Sequence, residues 1–178
     1  ITEDAMFNYA TLAFDLNKDP EGFNRYIRTY STTTKGDQIY GYIALASLYN
    51  RDYAAAVEAY NHIDYLEPEM RSNYIKANFL RASQLIASGS WKDAIPCLKA
   101  TAYYLDNTDR LNQYARYWLA ETYFRFFHAP AASEIYTSLY NAAALMDSSE
   151  GSLLPYNVAY CYLAEEDWKN AARWFDIY

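Results

Sequence analysis

Five short segments recur along the chain at near-constant spacing, and this recurrence limits the possible folds more than any other feature. Four share one look: Asp52-Tyr53-Ala54-Ala55-Ala56, Ser90-Trp91-Lys92-Asp93-Ala94, His128-Ala129-Pro130-Ala131-Ala132 and Asp167-Trp168-Lys169-Asn170-Ala171. A weaker copy is Asp19-Pro20-Glu21-Gly22-Phe23. Aligned on their last residues, 23, 56, 94, 132 and 171, they lie 33, 38, 38 and 39 residues apart. A period of this length marks a repeat architecture, in which one supersecondary unit stacks on the next.

Each segment reads as the start of a helix. Asp19, Asp52, Ser90 and Asp167 are good N-cap residues, whose side-chain oxygens accept from free amides of the first turn. Pro20 follows Asp19 at the first helical position, where a missing N–H costs nothing. Ile27, Tyr60, Leu98, Tyr136 and Phe175 lie four residues beyond the aligned positions, on the same helical face. Twelve residues before the aligned positions stand small side chains: Thr11, Ala44, Ala82, Ala120 and Ala159. A small residue in mid-helix lets a second helix approach closely. The pattern therefore predicts helix pairs over 3–17/19–32, 37–50/52–67, 71–88/90–106, 109–126/129–141 and 151–165/167–178.

Composition agrees with helices joined by short turns. Only 5 Gly and 5 Pro occur in 178 residues, too few for a turn-dense β-sandwich. The net charge of −7 disfavours binding to phosphate backbones or an anionic membrane surface. No apolar stretch approaches the ~20 residues needed to cross a bilayer. Neither end carries an initiator Met, a signal peptide or a complete final helix, which predicts a segment of a longer chain.

The chemistry-bearing residues form no catalytic, cofactor or metal motif. His62 and His128 lie in different repeats without ligand spacing, so surface and helix-start positions are expected. Cys97 and Cys161 are expected to pack within helices rather than pair. Glu165 and Glu166 are adjacent, and neighbours on a helix do not face one another, so paired acid–base work is not expected. Pro96, six residues after Ser90, should remove one helical hydrogen bond and either bend its helix or be tolerated there.

The repeat residues resemble the tetratricopeptide repeat family. The second repeat carries the motif as Tyr40, Ile43, Ala44, Ala56, Tyr60 and Pro68; the fifth as Val158, Ala159, Tyr162, Trp168, Ala171 and Phe175. Departures are Arg81 in place of Leu, Ser47 in place of Tyr and Phe23 in place of the helix-B Ala. The resemblance implies an all-α, right-handed superhelical α-solenoid of about five helix–turn–helix repeats, with the first helix of each pair lining a groove for a protein or peptide. Transferred position by position, the candidate groove residues are Asn8, Lys76, Phe79, Tyr114, Tyr117, Glu121, Phe124, Tyr156 and Tyr160, with Arg125 nearby. The Lys, Asn and Arg set by which some members grip a C-terminal carboxylate is not reproduced. The fourth and fifth repeats present aromatics instead, either as groove anchors or as packing between helices.

Three stretches, Ala5 to Ala10, Tyr114 to Glu121 and Tyr156 to Tyr162, resemble long exported repeat proteins of Bacteroidota. That resemblance implies a non-enzymatic interaction scaffold in the bacterial envelope, in the periplasm or at the outer-membrane periphery, with the cytoplasm as the alternative. A structural spacer and a glycan-binding envelope module are the competing readings. Self-association through Trp168, Trp174 and Phe175 of the last repeat is a further expectation.

Overall fold

The computed structural model describes residues 2–126 and 128–178. Among these residues the only regular secondary structure is helix, in eleven elements. The chain divides into two compact units, Ile1–Arg81 and Ala82–Tyr178, and the division falls within one helix.

The first unit contains α1 (Glu3–Asn17), α2 (Glu21–Thr29), α3 (Gly36–Tyr49), α4 (Tyr53–Asn61) and the first part of α5 (Pro68–Ala87). Thr2 caps α1, and Asp52 caps α4 by accepting from the Ala55 amide at 3.0 Å. Asp19 instead accepts from the Glu21 amide at 2.9 Å, forming a side-chain turn that delays the helix by one residue. Pro20 is therefore the N-cap residue rather than the first helical one. The segment after Asn61, predicted as helix to residue 67, leaves the helical path. Asp37 on α3 accepts from the backbone amides of Asp64 and Tyr65, both at 3.0 Å, and holds them as a loop.

The close approach of α1 to α2 lies one residue earlier than the sequence alignment put it. A methyl group on Gly22 would come within 2.9 Å of Ala10 Cα and Cβ, and Ala10 is fully buried while Thr11 is only half-buried. The first repeat is thus registered on Ala10 and Gly22, and Gly22 lies 34 residues before Ala56. Tyr26 then takes the place of Tyr60 and Tyr136, and all three are buried. Phe23 is a core residue beside that register, stacked on Tyr42 with ring centroids 4.6 Å apart and packed edge-on to Phe14.

The second unit contains the end of α5, then α6 (Trp91–Tyr103), α7 (Arg110–Arg125), α8 (Ala129–Asn141), the single turn α9 (Ser149–Ser152), α10 (Leu154–Ala164) and α11 (Trp168–Ile177). Packing runs between neighbours: α6 on α7, α7 on α8, α8 on α10 and α10 on α11. The predicted small positions Ala94, Ala120, Ala132, Ala159 and Ala171 are all buried, as close helix approach requires. Pro96 lies on the exposed side of α6, and the helix continues through it. Ser90 occupies the N-cap of α6 without a side-chain capping bond.

A common turn joins the helices of the last four pairs. The Asp52, Ser90, His128 and Asp167 amides donate to the Ser47, Leu85, Tyr123 and Tyr162 carbonyls at 2.8–3.0 Å. In three of these turns the preceding residue is left-handed: Arg51, Gly89 and Glu166. This six-residue closure satisfies carbonyls at the end of the first helix and starts the second. Between pairs, side chains of α7 fasten the connections. Asn112 donates to the Ala102 and Leu105 carbonyls, both at 3.1 Å, and Gln113 accepts from the Leu145 amide at 3.2 Å. The fold is all-α, built of helix–turn–helix repeats packed neighbour on neighbour.

Candidate functional site

The polar centre of the second unit is the Glu121 carboxylate on α7. Its Oε1 accepts from the Tyr136 hydroxyl on α8 at 2.7 Å and from Asn157 Nδ2 on α10 at 3.3 Å. Asn157 Nδ2 also lies 3.2 Å from the Tyr117 hydroxyl oxygen, to which it donates. Three helices packed in series, α7, α8 and α10, thus converge on one carboxylate. Burial, first, and the Glu121 charge beside it, second, push the Tyr136 phenol far above its ordinary pKa. The same two causes push the Tyr117 phenol up to about 12. Both rings therefore remain neutral hydrogen-bonding groups at any physiological pH.

Glu121 faces a pocket of about 520 Å³. Phe124, Ala129, Tyr156, Tyr160 and Ala164 form its apolar walls, Tyr136 and Asn157 contribute to its floor, and Arg125 stands at its edge. The small side chains of Ala129 and Ala164 leave the space that larger residues would fill. Tyr156 and Tyr160, one helical turn apart, have ring centroids 4.6 Å apart, and Phe175 of α11 packs against both. The Arg125 guanidinium is centred 4.2 Å over the Trp91 ring, in cation–π geometry.

Five of the ten candidate groove residues line this pocket: Glu121, Phe124, Arg125, Tyr156 and Tyr160. Tyr117 does not. It is 5% exposed and packs edge-on against Trp118 and Tyr136, because its position on α7 points between helices. Tyr114 is half-buried against the same core, and its hydroxyl accepts from Arg110 Nη2 at 3.5 Å. Asn8 is exposed on α1, and Lys76 is exposed and Phe79 half-buried on α5, all in the first unit.

Sequence reasoning missed Asn157 and Tyr136 as members of the site. A usable signal existed for Asn157: it is the only amide or charged side chain in α10, LPYNVAYCYLA. Tyr136 carried none, since its repeat position marks it only as core.

The remaining chemistry-bearing residues take structural positions. His62 is the C-cap of α4, stacked on Tyr40 at 4.6 Å, and His128 is the exposed N-cap residue of α8. Cys97 and Cys161 are buried thiols, and burial pushes the Cys161 thiol up to about 12. Glu166 forms the left-handed turn before α11. Among the described residues no three His, Cys, Asp or Glu side chains group as metal ligands, and no helix is long and apolar enough to cross a membrane. In α11, Trp168 is 64% exposed, but Trp174 packs on the core and on Tyr140, and Phe175 packs on Tyr156. Of the three aromatics expected to support self-association, Trp168 alone is mainly exposed.

No protein-family model and no curated protein matches the chain. A solved structure titled "MamA RS-1 ArsTM double mutant" is similar to it at 16% identity, with a TM-score of 0.49 over 98% of this chain and 90% of that one.

Proposed function

We propose that the chain is a protein-interaction scaffold that takes a segment of a partner protein into the pocket of α7, α8 and α10. The observation that carries this reading is the pocket's construction. Rigid aromatic walls surround a carboxylate that is held by donors from two other helices. Tyr and Phe supply large contact area at small entropic cost, and a few fixed polar groups give orientation. A spacer would gain nothing from exposing Tyr160 beside an open pocket, so the geometry favours binding over a purely structural role.

The bacterial envelope belongs to the same reading and rests on the sequence resemblance of the α1, α7 and α10 segments. Fractionation of the native host into periplasm, outer membrane and cytoplasm tests it. Recovery in the cytoplasm alone would remove the envelope from the proposal.

Binding is tested by placing a photo-crosslinking phenylalanine analogue at position 160. A partner polypeptide should be captured, and capture should be lost when Ala164→Trp fills the pocket. Ala164 is exposed at the end of α10, so the bulkier ring does not enter the core. Capture unchanged by Ala164→Trp would place the binding face elsewhere.

A further inference from the structure

We infer that this pocket selects a basic segment of its partner by receiving one cationic side chain, a lysine or an arginine, against Glu121. The inference deepens the proposed function and rests on its reading of the pocket as a binding site.

Four observations carry it. First, the carboxylate lies in a mainly apolar pocket, where an unpaired charge is less well hydrated than at an open surface and gains more from an opposite charge. Second, the hydrogen bonds to Glu121 leave it charge-hungry. Tyr136, Asn157 and Tyr117 hydrogen-bond to the Glu121 side chain but bring no positive charge. Third, the nearest candidate for an internal counterion is engaged elsewhere. Arg125 is one helical turn along α7, yet its guanidinium lies over Trp91, and no salt bridge joins it to Glu121 among the described residues. Fourth, the walls are aromatic. An ammonium or guanidinium group is attracted to Tyr and Phe rings as well as to a carboxylate, and Phe124, Tyr156 and Tyr160 stand around the same space.

The long-range field agrees. The chain carries a net charge of −7, which attracts a basic segment and repels an acidic one. The aliphatic stem of lysine or arginine would lie along the ring faces while its head reaches Glu121, a division that these side chains adopt at other apolar surfaces.

The test uses the whole chain and three small probes: N-acetyl-lysine methylamide, its arginine counterpart and its uncharged norleucine counterpart. Each is titrated while backbone amide resonances of Ala129, Asn157 and Ala164 are followed by NMR. The lysine or arginine probe should shift these resonances saturably, and norleucine should bind about two- to fivefold more weakly, the range of one partly exposed ion pair. Glu121→Gln keeps an oxygen acceptor for the Tyr136 hydroxyl and should remove the preference for the charged probe. Thermal melting establishes that this variant is folded. Tyr160→Ala, an exposed wall position, should weaken both cationic probes without equalising them with norleucine.

Equal binding of all three probes, or an unchanged preference in Glu121→Gln, overturns the cationic inference while leaving the pocket a binding site. No response to any probe, together with crosslinking at position 160 that Ala164→Trp abolishes, also overturns the inference and leaves the proposed function standing. Failure of the crosslinking test itself overturns both.

Discussion

Tyr136 donates its hydroxyl to Glu121 Oε1 across the α7–α8 interface at 2.7 Å, from a ring that is 1% exposed. The bond joins the structural core of the second unit to its candidate site. The same phenol that packs between helices also fixes the carboxylate facing the pocket. Cutting the bond should therefore be felt in stability before it is felt in binding.

Tyr136→Phe should cost about 1.5–3 kcal/mol, the range for a hydrogen bond to a charged group. Glu121→Leu should cost at least as much, because it leaves the buried phenol without its acceptor. The double variant should be more stable than the sum of the single losses predicts, since it orphans neither group. Urea unfolding of the four proteins measures this coupling, and a value near zero would show that the bond contributes nothing in solution.

Glycine replacements should differ in sign. Gly22→Ala should destabilise by about 1–3 kcal/mol despite the better helix propensity of Ala, because its methyl meets Ala10 backbone and side chain at 2.9 Å. Gly151→Ala should be worse, since its methyl would fall 2.0 Å from the Leu145 carbonyl oxygen. Gly36→Ala, with nothing within 4 Å, should be neutral or stabilising by up to about 1 kcal/mol. Melting temperatures of the three variants decide it, and a stabilised Gly22→Ala would contradict the close approach of α1 and α2.

Glu166 has φ 61°, a left-handed conformation that costs a side-chain-bearing residue and suits glycine. It is exposed, with no packing to lose. Glu166→Gly should stabilise by a few tenths to about 1 kcal/mol, reduced by the added freedom of glycine in the unfolded chain. Denaturant midpoints measure the change; a loss above about 1 kcal/mol would mean that the left-handed turn carries no strain.

Alkaline titration should reveal two classes of tyrosine. The Tyr60 and Tyr117 phenols are pushed up to about 12, Tyr60 by burial and Tyr117 by burial and then by Glu121. An unfolded tyrosine ionises near ~10. The folded state therefore holds these protons more tightly. Their contribution to stability is complete below pH ~10 and is lost as pH rises from there through about 12. Tyrosinate absorbance should rise in two phases, the later one coinciding with loss of the helical circular dichroism signal. A single phase near pH 10 with helix retained would contradict their burial.

Cys161 is fully buried, and its thiol is pushed up to about 12. Cys97 is buried as well. At pH 8 a thiol-specific disulfide reagent should label neither cysteine in the native protein and both in guanidinium chloride. Rapid native labelling would show that α6 or α10 opens far more readily than its packing suggests.

Much of the helical framework was legible in the sequence because it depends on local spacing. Ala44, Ala82, Ala120 and Ala159 mark their helix centres by size alone, and Asp52 and Asp167 mark helix starts by capping chemistry. The first repeat misled by one residue because Gly22 and Phe23 both suit a core face, and only the approach to Ala10 distinguishes them. Helix α4 ended early for a non-local reason: the two amides bound by Asp37 lie 27 and 28 residues away in sequence.

The sequence by itself determined where most helices begin, which face of each is apolar, and that neighbouring helices must pack together to bury those faces. It also determined the acidic charge of the chain, which needs no structure to count. Only the tertiary structure decided which aromatics are walls and which are core. Tyr117 and Tyr160 carry the same side chain at equally plausible positions, yet one is 5% exposed and the other 38%. The difference arises from how α7, α8 and α10 pack, and helical periodicity cannot specify that packing. The meeting of Glu121 with Tyr136 and Asn157, 15 and 36 residues away, was likewise a tertiary outcome. Hydrogen bonds between side chains on different helices depend on interhelical distance and rotation, and local sequence encodes neither.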